Sequence, residues 1–323
     1  MSADLPRFDI VTAGELLAEF VAERPGQRFD VPGRFQGPFP SGAPAIFASQ
    51  AARMGARVAY AGCVGSDGFG DLILDRLSAD GIDTAAVGRD AEYPTGTAFV
   101  RYRDDGDRDF IFNLTHSAAA RLDVDDAGLE RLADCRYLHV MGSSLSSPAA
   151  IALIDRLATR VRARGGRISF DPNIRAELMA DPATRAAVLT RIDDCDVFLP
   201  SEADLAWLSH GEPEAETVAR LLDERRMSLV VLKRAARGSE AFTSGHAPRR
   251  VAAYPVDERD PTGAGDCFGG ALMAALVAGE PLERALQLAS AAGAHAVTRV
   301  GPMEGCSDRA TLDALIASHG GAR

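Results

Sequence analysis

Apolar residues fall into two rhythms along this chain. Short, nearly continuous apolar runs alternate with longer stretches whose apolar positions recur at helical spacing. FDIVTAG reads as a strand ending in glycine, and APAIFASQAARMG as a helix with Gly55 as its stop signal. RVAYAGCVG predicts a second strand, followed by the helix FGDLILDRLSADG, closed by Gly81. YLHVMG (strand), PAAIALIDRLATRVRARGG (helix), RISFDPN, DVFLPSE and SLVVLKR (strands) continue the alternation. The last stretch is almost all helix: GDCFGGALMAALVAG, LERALQLASAAGAHAVTRVG and DRATLDALIASHG. Strand and helix in turn predict an α/β fold, a doubly wound and mainly parallel sheet flanked by helices.

One region leaves that rhythm. TGTAFVRYRDDGDRDFIFNL alternates with period two on both sides of DDGD, which predicts a β-hairpin. With LLAEFVAE near the start, it suggests a small antiparallel β lid, its strands within about 15–39 and 95–114. Such a lid would stand over the carboxyl ends of the main strands, where open α/β sheets bind ligands. No long linker, low-complexity tract or internal repeat divides the chain, so residues 1–323 read as a single domain.

Composition narrows the functional classes. The formal charge of −11 argues against nucleic-acid binding, which needs clustered Lys and Arg. The 5 cysteines are scattered without metal-ligand spacing, as expected of reduced thiols in a cytoplasm. The amino-terminal residues lack the basic flank and apolar core of a signal peptide, and no apolar run reaches the ~20 residues of a membrane span. Lys233 is the sole lysine in the chain, and a GC-rich genome explains most of that bias.

The stretch richest in chemistry is RDPTGAGDCF, which the pattern places between a short strand, AAYPV, and a helix. Gly263 and Gly265 would let the backbone turn tightly, and the first N–H groups of the helix, from Ala264 to Asp266, would form an anion cradle. A structural turn with Asp266 as a first-turn dipole residue is one reading. A dinucleotide loop is a second, but the acidic residue it needs ~20 positions on would fall inside a helical pattern, and Asp266 would repel a pyrophosphate. Phosphoryl transfer is the third. The cradle would hold the charge developing on the transferred group, while the Asp266 carboxylate accepts a proton from the attacking hydroxyl. A P-loop is excluded, because the lone lysine precedes Arg234 rather than Ser or Thr.

DPTGAGDCFGGAL resembles the signature DTxGAGDxFxxG of the ribokinase-like (PfkB) carbohydrate kinase family, and the likeness runs from GELLAEF to VTRVGP. The resemblance implies that Asp266 is the catalytic base and that the backbone of Gly263, Ala264 and Gly265 is the anion hole. PFPSGAPAIFASQAARMG is similar to the family's first signature, with Ser41–Gly42 at the glycine pair; Gly42 would let a sugar approach, and Ile46 replaces a frequent asparagine. Glu19 falls at an acidic sugar-hydroxyl position. FDPNIRAEL resembles a motif of 2-keto-3-deoxygluconate kinases, which implies a substrate or phosphate role for Arg175. LPSEADL stands at the NxxE motif that places Mg²⁺ through waters, with Glu202 and Asp204 as its carboxylates. VVLKRAARG resembles the strand end and loop of the nucleotide site, which implies roles for Lys233 and Gly238 and, further on, Ser290. Asp260 and Thr262 match positions near a monovalent-cation site, K⁺ in some members.

For the sugar, the lid and FNLTHSAAARL resemble keto-sugar-acid and ketohexose kinases, with Arg101 on a lid strand and His116 as a hydroxyl ligand. Leu114 stands where an arginine of the acid kinases would grip a carboxylate, which shifts the likeness toward tagatose- or fructose-type kinases. The implied protein is a cytoplasmic kinase using ATP and Mg²⁺ on a primary hydroxyl of a ketohexose or of 2-keto-3-deoxygluconate. Its lid could pair in a homodimer. A nucleoside kinase and a non-catalytic sugar or nucleotide sensor on the same fold are the alternatives.

Overall fold

The computed structural model describes residues 6–104, 108–174, 179–225 and 227–319. Nine strands form the main sheet: β1 (Phe8–Ala13), β4 (Val58–Gly65), β5 (Asp83–Asp90), β8 (Cys135–Met141), β9 (Arg167–Asp171), β10 (Val197–Phe198), β11 (Leu229–Lys233), β12 (Ser239–Phe242) and β13 (Arg249–Val251). Their order is β13-β12-β11-β10-β9-β8-β1-β4-β5. From β5 to β11 every pairing is parallel, and the β11–β12 and β12–β13 pairings at the edge are antiparallel. The central strands are covered on both faces, which is why VAYAGCVG is buried at every position instead of alternating.

Helices α1 (Ala43–Arg53), α2 (Gly68–Ala79), α8 (Ala264–Val277), α9 (Leu282–Ala296) and α10 (Arg309–Ser318) cover one face. Helices α3 (Asp126–Leu132), α4 (Pro148–Ala163), α5 (Pro182–Asp194), α6 (Glu202–Ser209) and α7 (Glu214–Asp223) cover the other. Two apolar cores follow, one on each side of the sheet.

A second sheet has the order β3-β2-β6-β7, from β3 (Phe35–Ser41), β2 (Leu17–Ala22), β6 (Gly96–Tyr102) and β7 (Arg108–Asn113). Its outer pairings are antiparallel, as the hairpin pattern predicts, while the central β2–β6 pair is parallel. The reason is topological: β2 and β6 follow the parallel strands β1 and β5 and leave the body in the same sense. The expectation of a strand at AAYPV needs correction, because β13 ends at Val251 and the chain then runs without strand structure to the signature loop.

Candidate active site

Three strands of the main sheet end side by side in polar residues. β9 ends at Asp171, Ser201 follows β10, and β11 ends at Lys233, with a bridge between Ser201 and Lys233. Asp171 is 1% exposed and forms an ion pair with Lys233. Burial works against the Lys233 ammonium, but the charges of Asp171 and Asp204, with Asp266 behind them, hold its pKa above the usual lysine value. Burial lifts the Asp171 carboxyl above the usual carboxylate range, with Lys233 pulling the other way. In water this pair would be worth little; here each partner is needed to keep the other charged.

The start of α8 lies against this row. A Cβ on Gly265 would stand 3.7 Å from Lys233 Nζ, an ordinary contact. Gly263 is the helix N-cap, with φ 80° and ψ −4°, and no side chain caps the helix. A side chain at 263 would meet Pro302 O at 2.5 Å and Ile46 Cγ2 at 3.2 Å, so the turn admits only glycine. The first N–H groups of α8 have no intrahelical acceptor, and the helix dipole adds to their pull on an anion. Asp266 sits in that first turn. A carboxylate beside uncapped donors and a lysine can take a proton from a hydroxyl while the donors hold an anionic group.

Of the residues expected to hold a sugar, Glu19 is 4% exposed on β2 and accepts a hydrogen bond from Ser41 Oγ at 2.9 Å. Gly42, the N-cap of α1 at φ 122°, presses on Glu15 O, where a Cβ would clash. Ile46 is buried beside Gly263, so the position of the frequent family asparagine is a wall of the anion turn rather than a polar contact.

The nucleotide candidates converge next to this row. Lys233 opens the turn that ends at Gly238, whose backbone lies against Val251 O, and Ser290 Oγ on α9 is 3.3 Å from Ser239 Oγ. Their neighbours Arg234, Arg237, Ser239, Glu240, Arg250 and Val251 are among the residues lining a cavity of about 470 Å³, to which Lys233, Gly238 and Ser290 themselves do not contribute.

Several expected residues sit differently. Glu202 is engaged by Arg234 Nη1 at 2.7 Å and by Arg237. These two partners hold its carboxyl below the usual range, the Arg237 hydrogen bond first, so it faces arginines rather than an open metal position. Asp204 closes a capping box: its Oδ2 accepts from Ser201 N at 2.7 Å and Ser201 Oγ at 2.6 Å, and its Oδ1 from Ile174 N at 2.8 Å. Among the described residues no group of three or more His, Cys, Asp or Glu is placed to hold a metal ion. Arg101 departs from the expectation of a substrate contact. Its guanidinium pairs with Asp109 and lies 5.5 Å from the Phe29 ring centroid, on the lid face opposite Glu19. His116 is exposed and lines a separate cavity of about 870 Å³ with Asp67, Phe69, Thr95 and Phe112, to which neither Glu19 nor residues 263–266 contribute. Arg175 lies outside the described residues.

Asp260 and Thr262 meet two residues that the sequence pattern had not singled out. The Tyr102 hydroxyl donates to Asp260 Oδ1, and Arg108 Nη1 donates to Thr262 Oγ1 at 3.2 Å. A signal was present in the alternation. Glu19 pairs with Ala98, so Ala98, Val100 and Tyr102 share its face, and Tyr102 pairs with Arg108.

The model of the pfkB family carbohydrate kinases matches residues 9–309. The chain belongs to that family. Among solved structures it is similar to an Escherichia coli family relative, provisionally named ribokinase II, in complex with ATP and Mg²⁺. That likeness has 43% identity and a TM-score of 0.91, and it covers 97% of this chain and 100% of the other. Fructokinase of Salmonella typhimurium is 32% identical over 302 residues, 90% of this chain and 93% of the relative. Fructokinase of Vibrio cholerae O395, bound to fructose, ADP and calcium ion, is 26% identical with a TM-score of 0.80, covering 95% of this chain and 99% of the other. As a pfkB member the chain is a carbohydrate kinase, a phosphotransferase with an alcohol group as acceptor. No described helix is long and apolar enough to cross a membrane.

Proposed function

We propose that this kinase transfers the terminal phosphoryl group of ATP to a primary hydroxyl of a ketohexose of the fructose type. The observation that carries the reading is the start of α8, an uncapped helix end with Asp266 in its first turn and Lys233 against Gly265. Asp266 takes the proton of the attacking hydroxyl. The backbone N–H groups from Gly263 to Gly265 stabilise the charge on the phosphoryl in transfer, where positioning and electrostatics supply most of the rate. Glu19, Ser41 and Gly42 hold the sugar, with Arg175 as a further contact. Lys233, Gly238 and Ser290 line the nucleotide side.

Mg²⁺, when bound, neutralises charge on the phosphates. The described carboxylates form no ready-made metal cage, and Glu202 and Asp204 are already paired, which suits an ion that arrives on the nucleotide. K⁺ is proposed near the turn at Asp260 and Thr262; their side-chain oxygens are engaged by Tyr102, Gly301 and Arg108, so backbone carbonyls of the turn would hold it. The fructose-type acceptor is supported by the fructokinases among the relatives and by Leu114 in place of an arginine that would grip a carboxylate. The closed lid excludes water that would otherwise hydrolyse ATP.

A coupled ADP-release assay over fructose, tagatose, 2-keto-3-deoxygluconate and adenosine tests this reading. Fructose or tagatose is expected to give the highest kcat/KM. Preference for adenosine, or turnover with no sugar, would contradict it.

A further inference from the structure

We propose that Tyr102 and Arg108 are positioning residues that tie the lid to the phosphoryl-transfer turn through a joint at Asp260. The inference rests on the reading of Gly263–Asp266 as the site of transfer. Asp260 is 1% exposed and links three segments. Its Oδ1 accepts from the Tyr102 hydroxyl of β6 and from Thr262 N at 2.9 Å. Its Oδ2 accepts from Gly301 N at 2.9 Å. Thr262 immediately precedes the left-handed Gly263, and Pro302, next to Gly301, supplies the carbonyl that leaves no room for a side chain there. One carboxylate therefore fixes both walls of the anion turn and, through Tyr102, the lid.

The second link runs beside the first. Tyr102 and Arg108 are paired across β6 and β7, so both project from the same face. Arg108 reaches Thr262 Oγ1, and the Tyr102 hydroxyl lies 3.4 Å from the same oxygen. A hydrogen bond to a buried carboxylate is among the stronger ones, and misplacing a reacting group by about 1 Å can cost on the order of a hundredfold in rate. Lid closure and the shape of the anion turn are thus set together: the donors come into register where the lid shuts out water.

Tyr102→Phe removes one hydroxyl and keeps the ring, so it tests the joint with little risk to folding. Amide hydrogen exchange on the full chain without substrate is expected to rise at Thr262 and along Gly96–Tyr102. With whichever sugar the wild type turns over, kcat should fall about tenfold or more at unchanged KM for ATP. A larger share of the ATP should also be hydrolysed without transfer. Arg108→Lys should retain more of the wild-type coupling than Arg108→Ala. If the wild type phosphorylates no sugar, the kinase-site reading fails, and exchange alone judges the joint. Exchange at Thr262 within twofold of wild type would overturn the proposal. So would an unchanged kcat in an active enzyme, or a loss of kcat matched by an equal loss of folded protein.

Discussion

Two helices of this kinase, α2 and α8, start from glycine-rich turns that carry an aspartate, VGSDGFGD and PTGAGDCF. In α2 the aspartate precedes the helix. Asp67 Oδ1 accepts from Phe69 N at 3.1 Å, Gly70 N at 2.9 Å and Thr95 Oγ1 at 2.7 Å, while Oδ2 accepts from Thr95 N at 2.7 Å. The helix start is closed by its own side chain, and the carboxylate also pins the root of β6. In α8 the N-cap is Gly263, no side chain folds back, and Asp266 comes inside the first turn. Moving the aspartate by a few positions relative to the helix start changes what the N–H groups can bind. One start is finished as structure; the other has no side-chain cap, and in the proposed reading its donors serve the phosphoryl group.

The difference can be broken at the glycines. Gly263→Ala places a Cβ 2.5 Å from Pro302 O in a left-handed turn, a strain on the order of 1–3 kcal/mol. If that strain displaces the anion hole, kcat falls by about a hundredfold, since each 1.36 kcal/mol is tenfold. A kcat within threefold of wild type would mean that the turn need not be left-handed. Acid should reveal the other aspartate. Burial raises the Asp67 pKa, but its hydrogen bonds to Thr95, Gly70 and Phe69 outweigh that and hold it below the usual value. On acidification the unfolded chain takes up this proton first, near pH 4, so the stability from Asp67 is present above that pH and lost below it. The stability gap between wild type and Asp67→Ala, about 1–2 kcal/mol at pH 7, should therefore narrow below about pH 4 in urea titrations. A gap constant with pH would contradict the hydrogen-bond account. The smallest effect belongs to Gly68→Ala: a Cβ there meets nothing within 4 Å, so the helix should gain roughly 0.5–1 kcal/mol with unchanged turnover. A loss of stability would show that this glycine too is required.

How much of this was legible in the sequence differs between body and lid. Buried parallel strands such as VVLK and the long terminal helices follow from apolar runs and periodicity, and the GAGD turn is marked by its glycines. Short edge elements are weaker signals. DTAAVGRD has few large apolar residues because β5 lies at the sheet edge, and AAYPV is apolar without being a strand. In the lid, alternation reveals two faces but not which one looks inward. Arg101 and Tyr102 are neighbours, and the arginine is the more conspicuous candidate, yet Tyr102 faces the signature turn and Arg101 pairs with Asp109. Glu202 and Asp204 show a related ambiguity. Acidic residues in a first turn suit a metal, a helix dipole or a capping box equally, and only the partners Ser201, Ile174, Arg234 and Arg237 distinguish them.

The contrast between the two helix starts is tested most directly by measuring kcat and Tm side by side for Asp266→Asn and Asp67→Ala, with the best sugar of the panel. Loss of a general base predicts a fall in kcat on the order of a thousandfold for Asp266→Asn at a nearly unchanged Tm. Asp67→Ala should instead lower Tm by several degrees, with kcat kept within tenfold. Turnover by Asp266→Asn within tenfold of wild type, or a thousandfold loss in Asp67→Ala, would contradict the account.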